Sequence, residues 1–219
     1  MSTFEFEANT SIVLKAYVTT PPDFDPQTET LPMIVFLHGA GERGDNLEFV
    51  KRAGIPKYFS ENPCHLGLRV ITVSPQCPDE LCWNNLAREL YEFILEAIKT
   101  YHADPDRVSI TGLSMGGFGT WEMLVSHPEL FSAAAPICGG GMSWRIPEKL
   151  SVPIRTFHGD ADALVPISLT YNMAEVVNAR GGHCVFTVYH GCEHDAWSWT
   201  YEHTDVIAWL VGAKRQPRV

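Results

Sequence analysis

Apolar positions along this 219-residue chain fall into two alternating patterns. Met33-Ile-Val-Phe-Leu37 is a short continuous apolar run, Arg69-Val-Ile-Thr-Val73 reads as the next buried strand, and Arg107-Val-Ser-Ile-Thr111 and Phe131-Ser-Ala-Ala-Ala-Pro-Ile137 read as two further strands. Such runs suit strands covered on both faces, which have no solvent side to alternate with. Pro153–Phe157 and Val185–Tyr189 predict two more strands. Between the strands the period lengthens to that of a helix. From Leu86 to Tyr101, Leu86, Leu90, Phe93, Ile94, Ala97, Ile98 and Tyr101 share one face, while Arg88, Glu89, Glu92, Glu96 and Lys99 take the other. Helices are also expected over Thr120–Val125, over Ser168–Arg180 with a stop at Gly181-Gly182, and from Thr204-Asp205 onward. The last of these would turn Val206, Ile207, Trp209 and Leu210 inward. Asn46–Lys51 reads as a short helix ended by Gly54 and Pro56.

At the amino end, Phe4–Ala8 and Ile12–Val18 predict two antiparallel strands joined by a turn at Asn9-Thr-Ser11. Pro21-Pro-Asp-Phe-Asp-Pro26 then breaks regular structure. Strands alternating with helices call for an α/β fold with a mainly parallel sheet and helices on both faces. No repeat or linker divides residues 1–219, so one domain is expected.

Charge narrows the partners. Sixteen Lys and Arg against 26 Asp and Glu leave a net charge of −10, which disfavours nucleic acid and anionic membrane surfaces. No run reaches the ~20 apolar residues of a membrane helix. The amino end, Met-Ser-Thr-Phe-Glu-Phe-Glu, has neither a basic start nor an apolar stretch of signal-peptide type, and a cytoplasmic location is the expectation. The six cysteines contain no Cys-x-x-Cys pair. Cys77 and Cys82 lie close enough in sequence to bridge, but free thiols are the simpler reading in a reducing compartment.

The chemistry centres on Ser109–Trp121, Ser-Ile-Thr-Gly-Leu-Ser-Met-Gly-Gly-Phe-Gly-Thr-Trp. A strand turns sharply into a helix with Ser114 at the apex of Gly112-Leu-Ser-Met-Gly116. This is the context in which Gly-x-Ser-x-Gly presents a nucleophile, the glycines making room for a strained turn. A serine hydroxyl needs a base to take its proton and a carboxylate to orient that base. Two downstream segments hold the required types: His158-Gly-Asp-Ala-Asp162 after one strand, and His190-Gly-Cys-Glu-His194 after the last. Asp160 and Asp162 both qualify as the acid, and His190, His194 and His203 as the base. His38 and His158 sit at strand ends, where an imidazole more often braces backbone. His190 and His194 are four apart, but Gly191 argues against a helical metal pair, so no metal or cofactor is expected.

Four anchors now carry a resemblance: Leu-His-Gly-Ala-Gly-Glu-Arg-Gly at 37–44, Ser-Pro-Gln-Cys-Pro at 74–78, Gly-Leu-Ser-Met-Gly-Gly at 112–117, and His-Gly-Asp-Ala-Asp at 158–162. In this order, and nearly end to end, the chain resembles the esterase branch of the α/β-hydrolase superfamily. That branch includes dienelactone hydrolase-like proteins and phospholipase/carboxylesterases. The resemblance implies an α/β-hydrolase fold and the order Ser, then Asp, then His along the chain. It places the acid on Asp162 and the base on His194, with backbone oxyanion donors at Met115 and Ala40. Dienelactone hydrolases proper carry a cysteine nucleophile, so Ser114 points toward ordinary esters. The implied activity is carboxylic-ester hydrolysis through an acyl-enzyme. A serine peptidase or amidase of the same fold is the alternative, and a non-catalytic binding member the more distant one. Cys138–Ser151 is too short to hold a lid domain, so an open site is expected, suited to short-chain, aryl, acetyl or polymer-tethered esters. Trp83, Trp144 and Trp197, with Gln76, are candidates for lining its pocket, although packing roles are equally natural for each.

Overall fold

The computed structural model describes residues 2–7 and 12–215. Its eight strands form one sheet in the order β1-β2-β4-β3-β5-β6-β7-β8. These are β1 Ser2–Glu7, β2 Val13–Thr19, β3 Leu31–Leu37, β4 Ile71–Pro75, β5 Ala103–Leu113, β6 Ala133–Ile137, β7 Ile154–Gly159 and β8 Cys184–Tyr189. β1 and β2 pair antiparallel with each other, and β2 runs antiparallel to β4. From β4 to β8 every pair is parallel. The expected turn at Asn9-Thr-Ser11 lies outside the described residues.

Six helices cover the sheet: α1 Gly54–Glu61, α2 Ala87–Thr100, α3 Met115–Ser126, α4 Ile167–Ala179, α5 Ala196–His203 and α6 Val206–Gly212. Strand side chains alternate between two cores, as the pleat requires. Met33, Val35 and Leu37 of β3 face one core with α2, α3 and α4; Ile34 and Phe36 face the other with α1, α5 and α6. β3 is buried along its whole length, which accounts for its unbroken apolar run.

Three expectations need correction. Gly54 and Pro56 do not stop a helix; they open α1. Residues 47–52 form a separate 3-10 turn before it. A proline in the first turn of a helix costs no hydrogen bond, because its missing N–H would have no intrahelical acceptor there. Ala196–His203, to which no element was assigned, is α5, capped by Asp195, whose carboxylate accepts from the Ser198 amide at 3.0 Å. In α6 the fourth inward position is Val211, while Trp209 stays half-buried with the Arg155 guanidinium 4.6 Å over its ring. All six cysteines, Cys77 and Cys82 included, are free thiols.

Between β6 and β7 the chain makes only a 3-10 turn at Ser143–Arg145. The carboxyl ends of the parallel strands β3, β5, β6, β7 and β8 share one end of the sheet. Parallel α/β sheets commonly place their chemistry at this end.

Candidate active site

Ser114 caps α3 with φ 53° and ψ −118°, a region that a residue with a side chain adopts only when its surroundings force it. The forcing is visible. The Ser114 amide is held by the Ile137 carbonyl at 3.0 Å, and the Ser114 carbonyl already receives the Phe118 amide as the helix begins. The turn is so tight that a Cβ on Gly116 would lie 1.8 Å from the Leu37 carbonyl oxygen, and one on Gly112 would lie 2.4 Å from the Gly116 carbonyl oxygen. Those glycines let the end of β3 press against the start of α3.

His194 Nε2 lies 2.9 Å from Ser114 Oγ, and His194 Nδ1 lies 2.7 Å from Asp162 Oδ2. An ionised Asp162 only accepts, so Nδ1 carries the proton and Nε2 is free to accept from the serine hydroxyl. Asp162 is fully buried and His194 keeps 18% of its side-chain surface. Burial works to raise the Asp162 carboxyl. The hydrogen bond from His194 and the amides of Val165 and Leu164, both at 2.9 Å, more than offset it and hold the carboxyl below its ordinary range. Tethered by these three hydrogen bonds, the carboxylate has one orientation.

The rival residues take other places. Asp160 Oδ1 accepts the Gly191 amide at 2.7 Å and its Oδ2 meets His190 Nδ1 at 2.8 Å, so Asp160 clamps the turn after β7 to the turn after β8. His190 is 89% exposed and points away from Ser114's partners. His203 closes α5 and packs on Trp199, 4.3 Å between ring centres. Trp197, one of the pocket candidates, sits in the first turn of α5 with its ring edge-on to His194, 5.3 Å between centres.

Ala40 and Met115 each occupy the first position of a helical turn, where the amide has no acceptor within its own turn. The start of α3 presses on Leu37 and His38, just ahead of the Ala40 turn. The loop bearing Ala40 is strapped from below by the segment after β4. His38 Nδ1–H donates to the Gly39 carbonyl at 2.6 Å, and its Nε2 accepts the Cys77 amide at 2.9 Å. The indole N–H of Trp83 donates to the His38 carbonyl at 2.9 Å. Gln76 Nε2 donates to the carbonyls of Glu42 and Asn46, at 2.8 and 2.9 Å, and the Gly44 amide to the Cys77 carbonyl at 2.9 Å. Burial pushes the His38 imidazole down to about 4.

This arrangement corrects two pocket assignments. Trp83 is wholly buried and Gln76 nearly so. Neither has surface to offer a substrate, and both brace the loop that carries Ala40. The Ser-Pro-Gln-Cys-Pro segment is legible in sequence as an anchor, but its partners lie some thirty to forty residues earlier and only folding joins them. Trp144, in contrast, is 72% exposed on the β6–β7 connection.

Sequence reasoning also passed over Cys138 and gave His158 only a bracing role. Cys138 lies behind Ser114 with its Sγ 3.3 Å from the Ser114 amide, and burial raises its thiol, which keeps it protonated. His158, fully buried, reaches Asp162 Oδ2 at 3.1 Å, the same oxygen that His194 meets.

Comparison with known proteins fits this geometry. Residues 74–202 match the dienelactone hydrolase family. The crystal structure of a thermostable esterase superposes with a TM-score of 0.85 at 30% identity, over 98% of this chain and 63% of that one. The feruloyl esterase module from Clostridium thermocellum, in complex with sinapinate, gives a TM-score of 0.77 at 14% identity, over 100% of this chain and 90% of that one, which speaks for the fold. A protein of Oryza sativa subsp. japonica named as a probable carboxylesterase is 24% identical over 194 residues, 74% of this chain and 80% of its own length. Poly(3-hydroxyalkanoate) depolymerase C of Paucimonas lemoignei is 46% identical over 48 residues, which is 22% of this chain and 12% of the depolymerase.

Proposed function

The chain belongs to the dienelactone hydrolase family, and from that premise we propose that it is a serine esterase cleaving carboxylic esters through an acyl-enzyme. The observation that carries this reading is the relay Ser114–His194–Asp162, with contacts of 2.9 and 2.7 Å. Ser114 Oγ attacks the ester carbonyl while His194 Nε2 takes its proton. Asp162 holds the imidazole in the tautomer that leaves Nε2 open, and stabilises the imidazolium once it forms. The oxyanion of the tetrahedral intermediate sits against the amides of Met115 and Ala40; each such donor is worth ~10²–10³ in turnover. His194 then returns its proton to the departing alkoxide. Water, activated by the same imidazole, attacks the ester carbonyl of the acyl-enzyme and frees Ser114.

A serine in this position favours esters over dienelactone, whose family enzymes proper use cysteine. The short β6–β7 connection leaves the site open to small acyl and aryl esters and to esters tethered to a larger body. Trp144, exposed on that connection, would offer an aromatic surface to a substrate reaching it.

Turnover of p-nitrophenyl acetate tests the reading. Ser114→Ala should lose at least about 10³-fold in kcat/KM with an unchanged circular dichroism spectrum. Retained hydrolysis in that variant would remove Ser114 from the mechanism.

A further inference from the structure

His158 lies at the end of β7, fully buried, and neither of its ring nitrogens is free. Nε2 meets the Val165 carbonyl at 2.9 Å and Asp162 Oδ2 at 3.1 Å. A carbonyl and an ionised carboxylate only accept, so Nε2 must carry a proton. Nδ1 lies 2.6 Å from Thr170 Oγ1. Thr170 has one hydroxyl proton, and that hydroxyl donates to the Gly139 carbonyl. With that proton spent on Gly139, Thr170 can only accept from His158, and Nδ1 must carry a proton too. A neutral ring would leave either Nδ1 unpaired against an oxygen lone pair, or the Thr170 and Gly139 oxygens in close contact with no hydrogen between them.

Resting on the triad reading above, we propose that His158 is a positioning residue held as an imidazolium, a cation that shares the carboxylate of Asp162 with the neutral His194. A line of hydrogen bonds then runs unbroken from Gly139, behind the nucleophile turn, through Thr170, His158, Asp162 and His194 to Ser114. Burial is the largest influence and lowers the His158 imidazole overall, against the Val165 carbonyl and the Asp162 carboxylate, which favour the charged form. The charged form follows from the hydrogen-bond geometry instead, because the single Thr170 proton is spent on the Gly139 carbonyl. The ionisable groups that meet the ring are Asp162 and His194. With its carboxylate half-neutralised by His158, Asp162 stabilises a second imidazolium less. His194 is thereby kept neutral, and ready to accept from Ser114, further into the acid range. Once protonated, it is also the stronger acid toward the leaving alkoxide.

Two measurements test this separately from the esterase reading. In nitrogen-15 histidine spectra of the wild-type protein at pH 7, both ring nitrogens of His158 should be protonated, whatever the protein hydrolyses. A bare Nδ1 would overturn the proposal. His158→Gln keeps a donor toward Asp162 and removes the charge. The acidic limb of kcat/KM for p-nitrophenyl acetate should then move to higher pH by about one unit. Thr170→Val, which deprives Nδ1–H of its acceptor, should move the limb in the same direction and serves where the glutamine variant does not fold. A lower kcat with an unmoved limb in both variants would reduce His158 to packing. Failure of the esterase reading would show differently, as activity persisting in Ser114→Ala.

Discussion

His38 should make the fold sensitive to mild acid, by an amount the structure lets us work out. Its Nδ1–H is committed to the Gly39 carbonyl and its Nε2 lone pair to the Cys77 amide. A second proton on Nε2 would face the Cys77 N–H, donor against donor, in a buried site. The imidazole accordingly titrates at about 4 in the folded protein, against about 6.5 for a free histidine. Between those values the unfolded chain binds the extra proton and the folded one does not. Stability is therefore full above pH 6.5 and falls as the pH drops toward 4, by up to ~1.4 kcal/mol per unit. From pH 8 to pH 4.5 the contribution lost is about 2.5 kcal/mol, a substantial part of the 5–15 kcal/mol typical of a domain. Other groups titrate in this window, so the informative quantity is a difference. His38→Gln can still present an oxygen to the Cys77 amide but has nothing to titrate. Urea unfolding followed by tryptophan fluorescence at pH 8 and pH 4.5 should give two gaps between wild type and variant, with the pH 8 gap larger by about 2.5 kcal/mol. A gap that stays constant across this range would refute the assignment of a neutral, doubly bonded imidazole.

The two aspartates of the β7 turn should separate cleanly. Asp162→Asn should lower kcat by several orders of magnitude with little change in KM, because a neutral amide allows the wrong His194 tautomer; Asp160→Asn should keep activity within about tenfold and instead loosen the His190–Gly191 turn, read as faster amide exchange there. Gly116→Ala should fail to yield folded protein, or show a much lowered Tm, since its Cβ would lie 1.8 Å from the Leu37 carbonyl oxygen and backbone on both sides prevents escape.

Periodicity alone was enough to find the strands and the long helices. β3 reads as buried because it has no polar face, and α2 reads as amphipathic because it has one. The turn at Ser114 was legible because Gly112, Ser114 and Gly116 must stand at fixed spacing for the backbone to fold so tightly. The choice of Asp162 and His194 came from family resemblance, since in sequence Asp160 and His190 have equal claims. Only the folded geometry shows that those two pair with each other. α5 was missed because its buried positions, Ala196, Thr200 and Tyr201, include just one large apolar side chain. The signal available was its N-cap, Asp195. Trp83 and Gln76 were misread for a different reason. An aromatic and an amide near strand ends look like pocket residues, but their partners are carbonyls of the loop around Ala40, and no local pattern announces a bond between segments so far apart. His158 belongs to the same class, its role set by Thr170 and Gly139 from other elements.

The central claim is that Ser114 forms a covalent acyl intermediate. Mixing the protein with p-nitrophenyl acetate, quenching in acid within the first turnovers and mapping the product by peptide mass spectrometry tests it directly. The account predicts one acetyl group on the peptide containing Ser114, accumulating in His194→Ala only at a far lower rate. An acetyl group on another residue, or steady release of p-nitrophenol with Ser114 never modified, would contradict it.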